Sequence, residues 1–237
     1  MVVCLTNFSI MRIGIIAEGF ADANVIKAIV KKLMGFDGAD LRVLRPEEAF
    51  DETDLQAMNF SNWQLVFESC KDAVFMGAFF DSLEGDAMLI LHVDTAERGL
   101  DGYDVNEPRR TKGVDYPTYA EQLRKNVIEK VNALVAEPYR DRIAYAIAVE
   151  ETDAWLIPLF ENAQSDTASH ARAKERLAAL IGSDKKRVKR YVDTAQKSLD
   201  YVRLGAQLAK DLNNCRKRNR SLDLFCMDIE SRNQVNE

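Results

Sequence analysis

The chain has little from which a thiolate-metal or nucleophilic site is usually built. It holds 4 cysteines and 2 histidines in 237 residues. Cys4, Cys70, Cys215 and Cys226 are scattered without a CxxC pair, and with only His92 and His170 to join them no zinc framework forms at the usual spacings. They read as reduced packing residues of a cytoplasmic protein. There is no GxxxxGK[ST] loop, no GxGxxG after a strand and no GxSxG elbow. P-loop nucleotide hydrolysis, Rossmann-type dinucleotide binding and an α/β-hydrolase triad are therefore unsupported. Apolar runs such as Met88–Val93 and Ile143–Val149 fall far short of the roughly 20 residues that cross a bilayer. The opening MVVCLTNFSIM has no basic region ahead of an apolar stretch, so it does not read as a secretory signal. Residues 1–10 are expected to be an extension before the first strand. Internal repeats and low-complexity linkers are missing as well.

What is present suits a globular chain with a real core: 47% hydrophobic and 30% charged residues. The net charge of −6 conceals a division. Between Ser183 and Arg220 there are twelve Lys or Arg against four Asp or Glu, a local +8. The rest of the chain then carries 20 basic against 34 acidic residues, or −14. An acidic body with a basic arm suggests two electrostatic tasks.

Short β-like runs alternate with helical patterns through the first two-thirds. Arg12–Ala17, Leu41–Leu44, Ala87–Val93 and Ile143–Val149 read as strands. Val25, Ile26, Ile29, Val30 and Leu33 mark one face of a helix ending near Gly35. Trp63, Val66, Phe67, Cys70 and Val74 predict one long helix reaching Phe80, and Tyr119, Leu123, Val127, Val131 and Leu134 another. The polar loop from Thr95 to about Tyr116 is long for a compact domain, as functional loops often are. This alternation predicts an α/β fold with a mainly parallel sheet over residues 11–158. Residues 159–237 are expected to form a basic helical part packed on that core, with no further strand.

Three of the strands end in acids: Glu18 with Asp22 a helical turn later, Asp94 with Glu97 close behind, and Glu150 with Glu151 and Asp153. Ligands of open parallel sheets bind outside the carboxyl ends of strands, so these acids meet at one edge if their strands are neighbours. A lone acid there usually caps a helix or turn. Several together repel one another unless a cation sits among them, and hard oxygen donors favour Mg²⁺ or Mn²⁺. Such an ion clamps a phosphodiester and activates water. His92 shares a strand face with Asp94 by the period of two. It reads first as a hydrogen-bonded core histidine, with support of the acids as the alternative. His170 is assigned no role. Trp155 and Leu156 are expected to pack the following helix onto the sheet, and Trp63 to lie in the core. KKRVKR (Lys185, Lys186, Arg187, Lys189, Arg190) and RKRNR (Arg216–Arg220) are either solvated faces or polyanion contacts. Arg98, Arg109, Arg110 and Lys112, in the loop after Asp94, are better placed as a phosphate clamp.

EGFAD at Glu18–Asp22, HVDTA at His92–Ala96 and EETDAWL at Glu150–Leu156 resemble the TOPRIM superfamily, and within it small bacterial proteins related to OLD-type nucleases. RSLDLFCMDI at Arg220–Ile229 is similar to the closing helix of those proteins. The likeness covers roughly residues 12–230 through short motifs. It implies a TOPRIM-like sheet and Mg²⁺-dependent nuclease activity on DNA or RNA. The catalytic residues would be Glu18 (acid/base), Asp94 and Glu151, with Asp22, Glu97 and Asp153 joining them around the metal. It also implies a bacterial phage-defence setting and an ATPase carried on a separate chain because this one has no P-loop; the oligomeric state stays open, a homo-oligomer being one reading. The family's Asp-x-Asp is here Asp94-Thr95-Ala96, so Glu97 would have to replace the second aspartate. Two other readings stay open: a non-catalytic regulatory or nucleic-acid-binding module with a degenerate metal site, and a small-molecule phosphotransfer or nucleotide-binding enzyme.

Overall fold

The computed structural model describes residues 11–35, 41–47, 62–81, 86–108, 115–161 and 172–234. Strand β1 (Arg12–Ile16) runs into helix α1 (Phe20–Met34), whose buried stripe is Val25, Ile26, Ile29 and Val30. α1 stops at Gly35, which takes a left-handed φ of 70° and returns its N–H to the Lys31 carbonyl. β2 (Leu41–Arg45) follows. Helices α2 (Trp63–Lys71) and α3 (Ala73–Phe80) come next, where the apolar spacing predicts one continuous helix. Asp72 makes the difference. Its backbone leaves the helical region, and its carboxylate accepts from Val74 N and Phe75 N, so it caps a new helix more favourably than it would continue the old one.

β3 (Ala87–Asp94), α4 (Tyr116–Leu134), α5 (Glu137–Arg140) and β4 (Ile143–Ala148) complete the sheet and its connections. The chain continues as α6 (Asp153–Leu156) with a 3₁₀ turn over Ile157–Leu159, then α7 (Ala173–Gly182) and α8 (Lys185–Tyr191). A two-residue pair, β5 (Val192–Asp193) with β6 (Ser198–Leu199), joins α8 to α9 (Tyr201–Lys210). This hairpin was not expected from the sequence. It forms because Asp193 accepts from Ala195 N and Gln196 N and turns the chain back on itself. α10 (Leu212–Arg216) and α11 (Arg220–Gln234) end the described chain.

The four long strands form one all-parallel sheet in the order β2-β1-β3-β4. One face carries Ile13, Ile15, Met88, Ile90, Ala144 and Ala146, in a single buried cluster with residues of α1, α9 and α11. The other carries Ile16, Leu89, Leu91, Val93, Ile143 and Ile147 against α2, α3 and α4. The fold is thus α/β, with helices on both faces. The C-terminal helices supply much of one core layer: Leu204, Leu208, Phe225, Cys226 and Ile229 are fully buried. The alanines of β4 let α11 lie close, and α11 also guards this edge strand. Its Asp228 Oδ2 accepts from Tyr145 N at 2.9 Å and from Arg124 Nη2 at 2.9 Å. Among the described residues no helix is long and apolar enough to cross a membrane.

Candidate metal centre at the switch point

From β1 the chain steps outward to β2 and then back across β1 to β3. The carboxyl ends of β1 and β3 therefore flank a topological switch point, where open α/β sheets leave a crevice. Glu18 follows β1 and Asp94 ends β3. Glu18 Oε1 accepts from Asp94 N at 2.7 Å, so the two strand ends are tied side to side through an acid. Because β4 neighbours β3, the third acidic strand end also reaches this edge.

Asp22, one turn into α1, joins His92 and Asp94 in a group whose ligand atoms all lie within 4.8 Å of one another. His92 and Asp94 are two residues apart on β3 and point to the same side. His92 is fully buried, and its Nε2 lies 2.7 Å from Thr152 Oγ1 and 3.1 Å from Asp94 Oδ1. Thr152 also donates its N–H (3.0 Å) and its hydroxyl (3.1 Å) to Asp94 Oδ1. Asp94 is thereby fixed on one oxygen. Tyr103, buried from the loop side, donates its hydroxyl to the Asp94 carbonyl at 2.8 Å. Asp153 lies nearby and accepts from Tyr201 OH at 2.7 Å.

The acids are held in an uncomfortable state. Burial, followed by the Asp94 charge, pushes Glu18 up to about 8. Burial raises Asp22 to about 6 and Asp153 to about 7, with the neighbouring acids adding to it and His92 or Tyr201 opposing. His92 moves the other way from what burial alone dictates. Asp22, Asp94 and Glu18 together outweigh desolvation and raise it to about 9. Such a pocket is short of positive charge. Oxygen and nitrogen donors about 2.1 Å from a shared ion lie at most about 4.2 Å apart, so a spread of up to 4.8 Å closes around a divalent cation with sub-ångström movement. The donor set fits one.

The other residues singled out by sequence divide by location. Glu150 lies two residues past the end of β4 with a left-handed φ of 66°. It is braced from both ends: its N–H meets Thr95 Oγ1 at 2.8 Å and its carboxylate pairs with Arg98 at 3.0 Å. That turn sends Glu151 outward, where it accepts from Lys174 N at 3.0 Å, and Thr152 inward. Glu97 is exposed on the turn after Asp94. Arg98 binds Thr95 O, Glu150 and Glu107, fastening its own loop. Arg109, Arg110 and Lys112, like His170, lie outside the described residues. Lys185, Lys186, Lys189 and Arg190 are exposed on α8, while Arg187 lies over the Phe160 ring and donates to Leu180 O. Arg216 and Arg220 are drawn into pairs with Asp223, Glu230 and Glu121. Trp155 packs as expected, stacked on Phe225 and donating to Ser221 Oγ at 2.9 Å.

Thr152, Tyr103 and Tyr201 were not marked by sequence as parts of this site, and His92 was read first as core. The available signal was the spacing of His92 and Asp94; nothing comparable marks Thr152 or the tyrosines. No protein-family model, curated protein or solved structure matches the chain.

Proposed function

We propose that the protein is a divalent-cation-dependent phosphodiesterase acting on nucleic acid, as its resemblance to TOPRIM nucleases implies. The observation that carries this reading is the meeting of Glu18 and Asp94 across the switch point, with Asp22 and His92 closing the group. Asp22 and Asp94 hold the cation, Mg²⁺ or Mn²⁺. A cation there supplies Lewis acidity toward a phosphodiester. Thr152 holds Asp94 in place through two bonds to one oxygen, Oδ1. Glu18, with its carboxyl raised to about 8, holds a proton near neutral pH and can deliver it to a leaving alkoxide. α1 begins at Gly19 without a side-chain cap, so its dipole favours an anionic phosphate at the same edge. In this reading the exposed cations of α8 hold the polyanion. α8 leads through the hairpin into α9, whose first residue, Tyr201, reaches Asp153.

The test is cleavage of labelled single- and double-stranded DNA and RNA with Mg²⁺ or Mn²⁺, by wild type and Asp94→Ala. Cleavage that needs metal and is lost in the variant supports the reading; equal cleavage by the variant removes it. A phage-defence role beside a separate ATPase belongs to the same proposal. The competing reading, a non-catalytic module, is favoured by one observation: Ala96 stands where the family carries a second aspartate, on an exposed turn position. If Ala96→Asp gains cleavage that wild type lacks, the wild-type site is a degenerate one.

A further inference from the structure

We infer that a lysine groove at the far ends of α1 and α9 is a separate phosphate-backbone site, which holds a nucleic-acid strand at a distance from the reacting bond. This rests on the nuclease reading for its ligand class, and its test runs without any divalent ion.

Lys32 in the last turn of α1, Lys210 in the last turn of α9 and Lys217 after α10 line one groove of about 270 Å³, with Asn213 and Asn214 between them. All three lysines are exposed, and none has a side-chain hydrogen bond or ion pair among the described residues. The arginines beside them are paired, Arg216 with Asp223 and Glu230 and Arg220 with Glu121. Asp211, the acid that lines the groove, begins α10 and accepts from Asn214 Nδ2 at 3.4 Å. Three lysines against one aspartate leave the groove positive. A lysine in the last turn of a helix complements the helix dipole, which accounts for Lys32 and for Lys210 taken singly. It does not account for three ammonium groups brought to one concavity, where they repel one another unless an anion lies between them.

One face of α9 joins the groove to the cation group. Arg203, Gln207 and Lys210 are spaced by four and three residues and so share that face. Arg190 of α8 adds its charge there, with Nη2 2.9 Å from Gln207 Oε1. Arg203 stays exposed although its Nε lies 3.1 Å from Asp200. α9 runs beside α1 in the same direction. Tyr201 at its start reaches Asp153, Gly205 lies against Asn24 and Val25, and Lys210 at its end shares the groove with Lys32. From Asp22 to Lys32, α1 rises about 15 Å, the span of about four or five steps of a stacked strand. A phosphate backbone carries a charge about every 3.4 Å along each strand. It can therefore meet Arg203, Lys210 and the groove in turn while one phosphodiester lies at the cation group. A mononucleotide reaches only one of the two ends.

The experiment is fluorescence anisotropy with the full-length protein in chelator, so that nothing is cut, over a range of salt concentrations. The probes are a labelled DNA duplex of about 20 base pairs and a labelled single-stranded RNA of the same length. Wild type is compared with a variant carrying Lys32→Gln, Lys210→Gln and Lys217→Gln, and with one carrying Lys32→Arg, Lys210→Arg and Lys217→Arg. Wild type should bind at least one probe. The glutamine variant should bind it about tenfold or more weakly, with a salt dependence shallower by about two to three powers. The arginine variant should bind as wild type does. Equal affinity and salt dependence in wild type and the glutamine variant overturns the inference, as does failure of wild type to bind either probe. Equal weakening in both variants overturns it too, since charge is then not what the groove supplies. Polyglutamate that competes as well as nucleic acid, charge for charge, overturns the assignment of the ligand. Cleavage with Mg²⁺ or Mn²⁺ is scored separately, so metal-free binding without cleavage counts against the nuclease reading and leaves the groove standing.

Discussion

Glu18, Asp22, Asp153 and His92 all bind their protons more tightly in the folded protein than their side chains ordinarily do. For each, the folded pKa lies above the unfolded one, so its contribution to stability is present at low pH and is lost as pH rises through the folded value. The metal-free protein should therefore melt at a falling temperature between about pH 5 and about pH 9. Calorimetric scans in chelator across that range check this. Glu18→Gln keeps an oxygen to accept from Asp94 N but carries no charge, so it should flatten the decline while abolishing cleavage. A second expectation concerns Asp153. Tyr201→Phe leaves this buried carboxylate without its hydroxyl donor, at a cost of about 1–2 kcal/mol in urea denaturation. Glu151 was singled out as a strand-end acid and by the family likeness, and neither of those reads the left-handed turn at Glu150 that sends Glu151 outward and brings Thr152 to Asp94.

Among the elements, the helix caps and close approaches are where single residues matter most. Asp72 ends α2 and begins α3, and Asp72→Ala should destabilise by about 1 kcal/mol, read as a shift in the urea midpoint without a change in slope. Gly205 on α9 faces α1 so closely that a Cβ would lie 3.1 Å from Asn24 O and 3.2 Å from Val25 Cα. Gly205→Leu must push the two helices apart. It should cost about 1–3 kcal/mol or more, and it should weaken cation binding by shifting Tyr201 and Asp153 with the start of α9. Helices α1 and α4 were legible because each buries one regular face, and β1, β3 and β4 because burial on both faces makes them short continuous apolar runs. The break at Asp72 was not, because Val74 continues the apolar spacing of Trp63, Val66, Phe67 and Cys70 in the sequence, although it is exposed and α3 buries Met76 and Phe80 instead. The hairpin between α8 and α9 was hidden by its length, since two residues per strand leave no period to read.

For the whole molecule, sequence order gave the strands and their acidic ends but not their neighbours. Only the order β2-β1-β3-β4 turns three separate acids into one edge, and that order depends on contacts far apart in the chain. The C-terminal third shows the same limit. Its basic composition does not tell how deeply it is built in: Phe225 and Ile229 lie in the cluster that covers β1, β3 and β4. A chain cut after residue 158 should therefore lack a cooperative thermal transition, which circular dichroism would show directly. At this scale everything turns on whether the switch-point group holds a cation. The most direct test is calorimetric titration of Mn²⁺ into metal-free wild type and into Asp94→Ala at matched pH. Wild type should bind one ion saturably, and the variant should lose that binding while still melting cooperatively. Absence of binding to wild type at millimolar Mn²⁺, or unchanged binding in Asp94→Ala, would contradict it.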